Sequence, residues 1–216
     1  METRLYKADN PAAPLIVLNT FGDEGEAVYA AVRSLTKKDL SMLVVSGMDW
    51  NRDLSPWEAP AVFKNDAPFG GKADEFLDKL LDQAIPDAVS ELGSKPQFIA
   101  IAGYSLAGLF AVYSLYRTDI FSRAASASGS FWFPGFLEFA SSHEFLKKPQ
   151  RLYLSLGDRE AKTRNPVMST VQDNAEKLAA MFRGRGIDTV FELNPGNHFM
   201  DPALRMAKGI RSILES

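Results

Sequence analysis

Short apolar runs alternate along this chain with longer stretches in which apolar residues return every three or four positions. The runs Leu15–Leu18, Leu40–Val45, Phe98–Ala102, Phe121–Ser128, Leu152–Leu156 and Thr189–Leu193 have the length and composition of buried strands. Between them, Ala27, Val28, Ala31, Val32 and Leu35 form one helical stripe. Val171, Ala175, Leu178, Ala179 and Phe182 form another, which Gly184 stops. A broader stripe from Phe76 to Leu92 contains Pro86, which predicts a kink or a restart there. Further helices are expected up to about Arg117 and from about Ala203 to Leu214, with a short edge strand around Thr3–Ala8. Strands alternating with helices imply an α/β architecture, a mainly parallel sheet with helices on both faces. The 216 residues suffice for one substantial core, so a single domain spanning 1–216 is expected.

Two stretches lose the period and concentrate aromatic residues. From Met48 to about Lys72 the chain carries Trp50, Trp57, Phe63 and Phe69, three prolines and the pair Gly70-Gly71. A long aperiodic segment in a compact domain is usually functional or disordered, and this many aromatics argues against disorder. It is read as a wall of a binding cleft. The second stretch is Ser130-Phe-Trp-Phe-Pro-Gly-Phe136. Trp50, Trp57, Phe131 and Trp132 are therefore candidate substrate-lining residues, each equally compatible with a place in the core.

Composition narrows the chemistry. With 24 basic and 27 acidic residues the formal charge is −3, which argues against a nucleic-acid-binding surface. There are no cysteines, so disulfides, thiolate metal sites and a cysteine nucleophile are excluded. The first residues lack the pattern of a signal peptide and no apolar run is long enough to span a bilayer, so no membrane partner and a cytoplasmic location are expected. No His-Glu-x-x-His or phosphate-loop pattern is present, and neither a metal nor a cofactor is expected. Oligomeric state is not legible in the pattern.

One corner stands out against this background. Phe98-Ile-Ala-Ile-Ala runs into Gly103-Tyr-Ser105-Leu-Ala107-Gly108 and then into a helical pattern. A strand turning abruptly into a helix around a Gly-x-Ser-x-small corner presents a nucleophilic serine at a sheet edge. The helix N-terminus behind it offers unpaired N–H groups to a developing negative charge. The backbone amides of Leu106 and of Phe21, which follows the first strong strand, are the expected oxyanion donors.

A serine nucleophile needs a base and a group to orient that base. The chain has two histidines. His143 reads as the start of a surface helix, whereas His198 follows the last strand in a Gly-Asn-His turn and is the candidate base. Asp158 and Glu160 both follow the strand ending at Leu156 and both qualify as the acid. Glu160, three residues past Gly157, has the loop length to turn back toward the histidine and is the first choice, with Asp158 the alternative.

Gly103-Tyr-Ser105-Leu-Ala-Gly, Ser128-Gly-Ser-Phe-Trp132, Gly157-Asp-Arg-Glu160 and Pro195-Gly-Asn-His198 together resemble the α/β-hydrolase superfamily, and within it the esterase family that includes esterase D, enterochelin esterases and mycolyltransferases. The resemblance covers nearly the whole chain. It implies a serine nucleophile in the first piece, the acid in the third, three residues after the glycine, and the histidine in the last. Two departures accompany it: Ala107 replaces a glycine of the corner, and most of the first two strands of the full fold are lacking, giving a compact version with reduced N-terminal strands. The implied activity is that of a serine hydrolase cleaving a small-molecule carboxylic ester through an acyl-enzyme. An acyltransferase or thioesterase would use the same residues. Some siderophore esterases of the family are Ser-His dyads, which makes a dispensable acid one implication. A binding protein without activity would not require this order of residues.

Overall fold

The structure, a computed structural model, describes residues 1–62 and 66–215; Phe63 of the aperiodic stretch lies outside the described residues. Strand β1 (Glu2–Tyr6) is followed by β2 (Leu15–Asn19), helix α1 (Gly25–Leu35) and β3 (Ser41–Ser46). A one-turn helix α2 (Trp50–Asp53) and a minimal antiparallel pair, β4 (Glu58–Ala59) with β5 (Phe69–Gly70), follow. Next come α3 (Ala73–Lys79), α4 (Ile85–Leu92), β6 (Ile99–Tyr104), α5 (Leu106–Ser114) and β7 (Phe121–Ala127). The remainder is α6 (Phe136–Ser142), β8 (Arg151–Gly157), α7 (Val171–Gly184), β9 (Asp188–Asn194) and α8 (Pro202–Leu214).

Seven strands form one sheet in the order β1-β3-β2-β6-β7-β8-β9. All run parallel except β1, which pairs antiparallel with β3 from Glu2 opposite Ser46 to Tyr6 opposite Met42. β1 is a short, mainly exposed edge strand. Its anchor is Tyr6, whose ring stacks on Tyr29 of α1 at 4.4 Å.

Alternation along the strands divides the core between the two faces of the sheet. Leu15 and Val17 of β2 join the side covered by α3, α4, α5 and α7, while Ile16 and Leu18 face α1 and α8. On the α8 side the sheet presents Ala100, Ala102, Ala125 and Ala127, small enough for a helix to lie close. The approach is tight, because a Cβ on Gly209 would stand 2.9 Å from the Tyr153 ring. Strand order reverses around β2, with β3 on one side and β6 on the other. A crevice opens at the carboxyl ends of strands at such a switch point, here between the end of β2 and Ser105.

One local expectation is met and two are corrected. Pro86 stands in the first turn of α4, where the α-helix restarts after a π-helical turn, Leu80–Ala84, that joins it to α3. Proline lacks an N–H and its ring clashes with the carbonyl four residues back, so one widened turn lets the helix continue past it. The stretch after Met48 is not wholly irregular, since Asp49 caps α2 by accepting the Arg52 amide at 3.2 Å. His143 follows the end of α6 instead of starting a helix, and its ring stacks on Phe139 at 4.3 Å.

Candidate active site

Ser105 sits between β6 and α5 with φ 58° and ψ −122°, a conformation costly for a residue with a side chain. The surroundings over-determine it. Its N–H donates to Ala127 O at 3.1 Å, and its carbonyl accepts from Gly108, Leu109 and Ser130 at 3.0–3.1 Å. The tight turn needs glycine at 103, where a Cβ would lie 2.3 Å from the Ala107 carbonyl oxygen. Ala107 itself is accommodated, its methyl lying over the bare Gly103 backbone, so the missing glycine of the corner changes little.

His198 Nε2 lies 3.1 Å from Ser105 Oγ, and His198 Nδ1 lies 2.7 Å from Glu160 Oε2. The three side chains come from the ends of β6, β8 and β9. Asp158 does not reach the imidazole. Its Oδ1 accepts the Gly196 N–H at 2.8 Å while its own amide donates to Asn194 O, so it fastens the turn that carries His198. The two loops nearly touch, because a Cβ on Gly157 would stand 2.3 Å from the Gly196 carbonyl oxygen.

The Glu160 side chain is only 5% exposed, and its second oxygen is fully engaged. Oε1 accepts from the Gly157 amide at 2.6 Å, from Ser128 Oγ at 2.7 Å and from Arg205 Nη1 at 3.1 Å. Burial alone would raise its pKa, but hydrogen bonds from His198, Ser128 and the Gly157 amide outweigh that and hold the carboxyl below its ordinary value.

Arg205, Ser128 and Tyr104 complete the site and were not anticipated from the sequence. Arg205 is 2% exposed, and its other nitrogen donates to Pro195 O at 2.8 Å, tying α8 to both the acid and the histidine turn. Ser128, with φ 48°, ends β7 so that its hydroxyl meets Glu160. Tyr104 OH donates to the His198 carbonyl at 2.7 Å. Burial, the largest influence, keeps this phenol protonated above its ordinary range. A signal for Arg205 was present: it falls on the buried stripe of α8 with Met206, Gly209 and Ile213. A lone charge on an apolar helix face is rarely buried without a partner.

The candidate oxyanion donors come from two separate segments of the chain. Leu106 is the first residue of α5, so its amide has no intrahelical acceptor. Among the described residues no acceptor meets the Phe21 amide, while the next amide, Gly22, donates to Glu24 at 2.8 Å. Phe21, Ser105 and His198 all line a cavity of about 870 Å³. Trp50 lines it too, edge-on to Phe21 at 5.3 Å.

The other aromatic candidates lie elsewhere. Phe131 is 0% exposed and packs in the core beside Phe136, so it presents no surface to a substrate. Trp57 donates from its indole to Pro134 O at 2.9 Å and packs on Phe133 and Phe139. Trp132 lies against Phe69 and Phe133. The stretch after Ser130 is thus mainly core, knitting α6 to the hairpin. Among the described residues there is no cluster of metal-ligating side chains and no helix long and apolar enough to cross a membrane.

The family model described as "Putative esterase" matches residues 18–200. Protein YbbA of Bacillus subtilis, described as uncharacterized, is 19% identical over 188 residues, covering 84% of this chain and 75% of its own. Among solved structures, an IroE-like serine hydrolase from Shewanella oneidensis superposes with a TM-score of 0.80 at 18% identity, over 97% of this chain and 74% of that one. The siderophore hydrolase EstA of Aspergillus nidulans gives 0.74 at 19% identity, over 95% and 84%. Both structures share the fold at identities too low to carry a substrate across. With the family match running from β2 through His198, the chain belongs to this esterase family of the α/β-hydrolase type and is a carboxylic ester hydrolase.

Proposed function

We propose that residues 1–216 form one α/β-hydrolase domain that cleaves a small-molecule ester through an acyl-enzyme, with Ser105 as nucleophile, His198 as general base and acid, and Glu160 as the orienting acid. The observation that carries this reading is the pair of contacts on one imidazole, 3.1 Å from Nε2 to Ser105 Oγ and 2.7 Å from Nδ1 to Glu160 Oε2. With Nδ1–H donated to the carboxylate, Nε2 carries the lone pair and faces the serine hydroxyl. As Ser105 Oγ attacks the ester carbonyl, its proton moves to Nε2 and the carbonyl oxygen becomes an oxyanion. The Leu106 and Phe21 amides donate to it. Collapse expels the alcohol, which takes the proton from His198 and leaves the acyl group on Ser105. Water, activated by the same nitrogen, then releases the acid. The imidazolium that forms twice in this cycle is stabilised by a carboxylate already held in its charged form.

An alkyl fluorophosphonate should label Ser105 stoichiometrically, and Ser105→Ala should lose both labelling and about 10⁶-fold in kcat on aryl esters. Unlabelled folded protein would refute the assignment. An acyltransferase or thioesterase would use the same groups, and acyl transfer to an added alcohol outpacing hydrolysis identifies it.

A further inference from the structure

The cavity beside Ser105 does not run toward the aromatic stretch after Ser130. It runs the other way, into a cleft between the N-terminal halves of α1 and α8. Ala27 and Ala30 form one wall, Ala203 the other, and Met206, 1% exposed, lies at the base. These side chains are short and line open space, while Val28 and Val32 of α1 share a buried cluster with Met206 and Ile210 of α8. At about 870 Å³ the space is near the upper end for a small-molecule site and is lined mainly by apolar groups.

Two large rings flank the entrance. Phe21 is 70% exposed and Phe199 is 85% exposed, both lining the cavity. Phe199 meets the His198 ring edge-on at 5.4 Å. Apolar side chains this exposed beside a reactive centre are surface waiting to be covered by a ligand. The acidic side chains Asp23, Glu24 and Glu26 line the cavity, and among the described residues no lysine or arginine does.

We propose that the α1–α8 cleft is the specificity pocket for the apolar portion of the ester, and that the enzyme acts on uncharged or cationic esters carrying an extended hydrocarbon or aryl group. Compact hydrophilic esters and esters with an anionic group near the scissile bond are poor substrates. The proposal rests on Ser105 being the nucleophile. The pocket takes either the acyl or the alcohol portion; the cleft chemistry is the same in both cases, and separate substrate series distinguish them.

The test measures kcat/KM on two series, p-nitrophenyl esters from acetate to decanoate and acetate esters of ethanol to octanol, alongside fluorophosphonate labelling of Ser105. In one series kcat/KM should rise by about two- to fourfold per methylene before levelling. Ala27→Trp and Ala30→Trp change exposed helix positions, so folding is not at stake. Each should cut the preference for octanoate over acetate, or octyl over ethyl, by at least about tenfold. The p-nitrophenyl monoester of succinate should be cleaved at least about tenfold less efficiently than its neutral methyl ester. Glu26→Gln should narrow that gap. Labelled, active enzyme with a flat response in both series, or a chain-length preference untouched by both tryptophans, would overturn the proposal and leave the nucleophile assignment standing. Absence of both labelling and hydrolysis would overturn the two together.

Discussion

The Arg205 guanidinium, 2% exposed, lies 3.1 Å from the Glu160 carboxylate that meets His198. A buried cation behind the acid pairs with Oε1 and leaves Oε2 for the imidazole. Removing one member of a buried pair is costly because the other charge stays behind. Arg205→Met should therefore lower stability by about 3–5 kcal/mol in urea unfolding. In the protein that remains folded, the acid limb of the kcat profile should move to higher pH, because Glu160 loses a group that favours ionisation. Arg205→Lys should bring the limb part of the way back. Loss of stability with an unchanged pH profile would mean that Arg205 serves packing alone.

The two carboxylates of the Gly157-Asp-Arg-Glu160 turn should separate by kinetics. Glu160→Gln keeps the shape but presents the wrong partner to Nδ1, and should lower kcat by about 10³–10⁴-fold. Asp158→Asn only weakens the bond to the Gly196 amide, a loss of about 0.5–1.5 kcal/mol, or roughly tenfold at most. Equal losses, or a larger one for Asp158→Asn, would reverse the assignment.

Glu160 also links stability to pH. Its pKa in the folded protein lies below the ordinary 4.5, so its contribution is present above about that pH and is lost as pH falls through the folded value. Between neutral pH and about pH 3, wild type should lose more unfolding free energy than Glu160→Gln. Parallel curves for the two proteins would show that this carboxyl does not drive acid sensitivity.

The corner at Ser105 makes a prediction in two directions. Gly103→Ala places a methyl 2.3 Å from the Ala107 carbonyl oxygen, where backbone and not a side chain must yield. Loss of about 1–3 kcal/mol or more is expected, with labelling of Ser105 impaired. Ala107→Gly restores the glycine of the family pattern. It should keep activity and cost about 1 kcal/mol of helix stability.

The strand–corner–helix around Ser105 and the parallel sheet were readable because both depend on local period and on small residues at a fixed turn. His198 and Glu160 were singled out by chain order. Bringing them together across 93 and 38 residues is the work of the sheet, whose register no local pattern encodes. Aromatic composition marked the Ser130 stretch but carried no direction, so it left the cleft and the core equally open for Phe131, which is buried in the core. Arg205 was passed over because its partners, Glu160 and Pro195, lie in two other loops. The cleft between α1 and α8 was invisible for a related reason: it is defined by where side chains are short, and alanine in a helix normally signals only propensity.

Arg205 couples the soundness of the active site to the docking of α8. One guanidinium reaches both Glu160, at 3.1 Å, and the carbonyl of Pro195 in the histidine turn, at 2.8 Å. Undocking of that helix therefore withdraws support from the acid and the base together. Local opening of α8 should silence hydrolysis while the sheet is still folded.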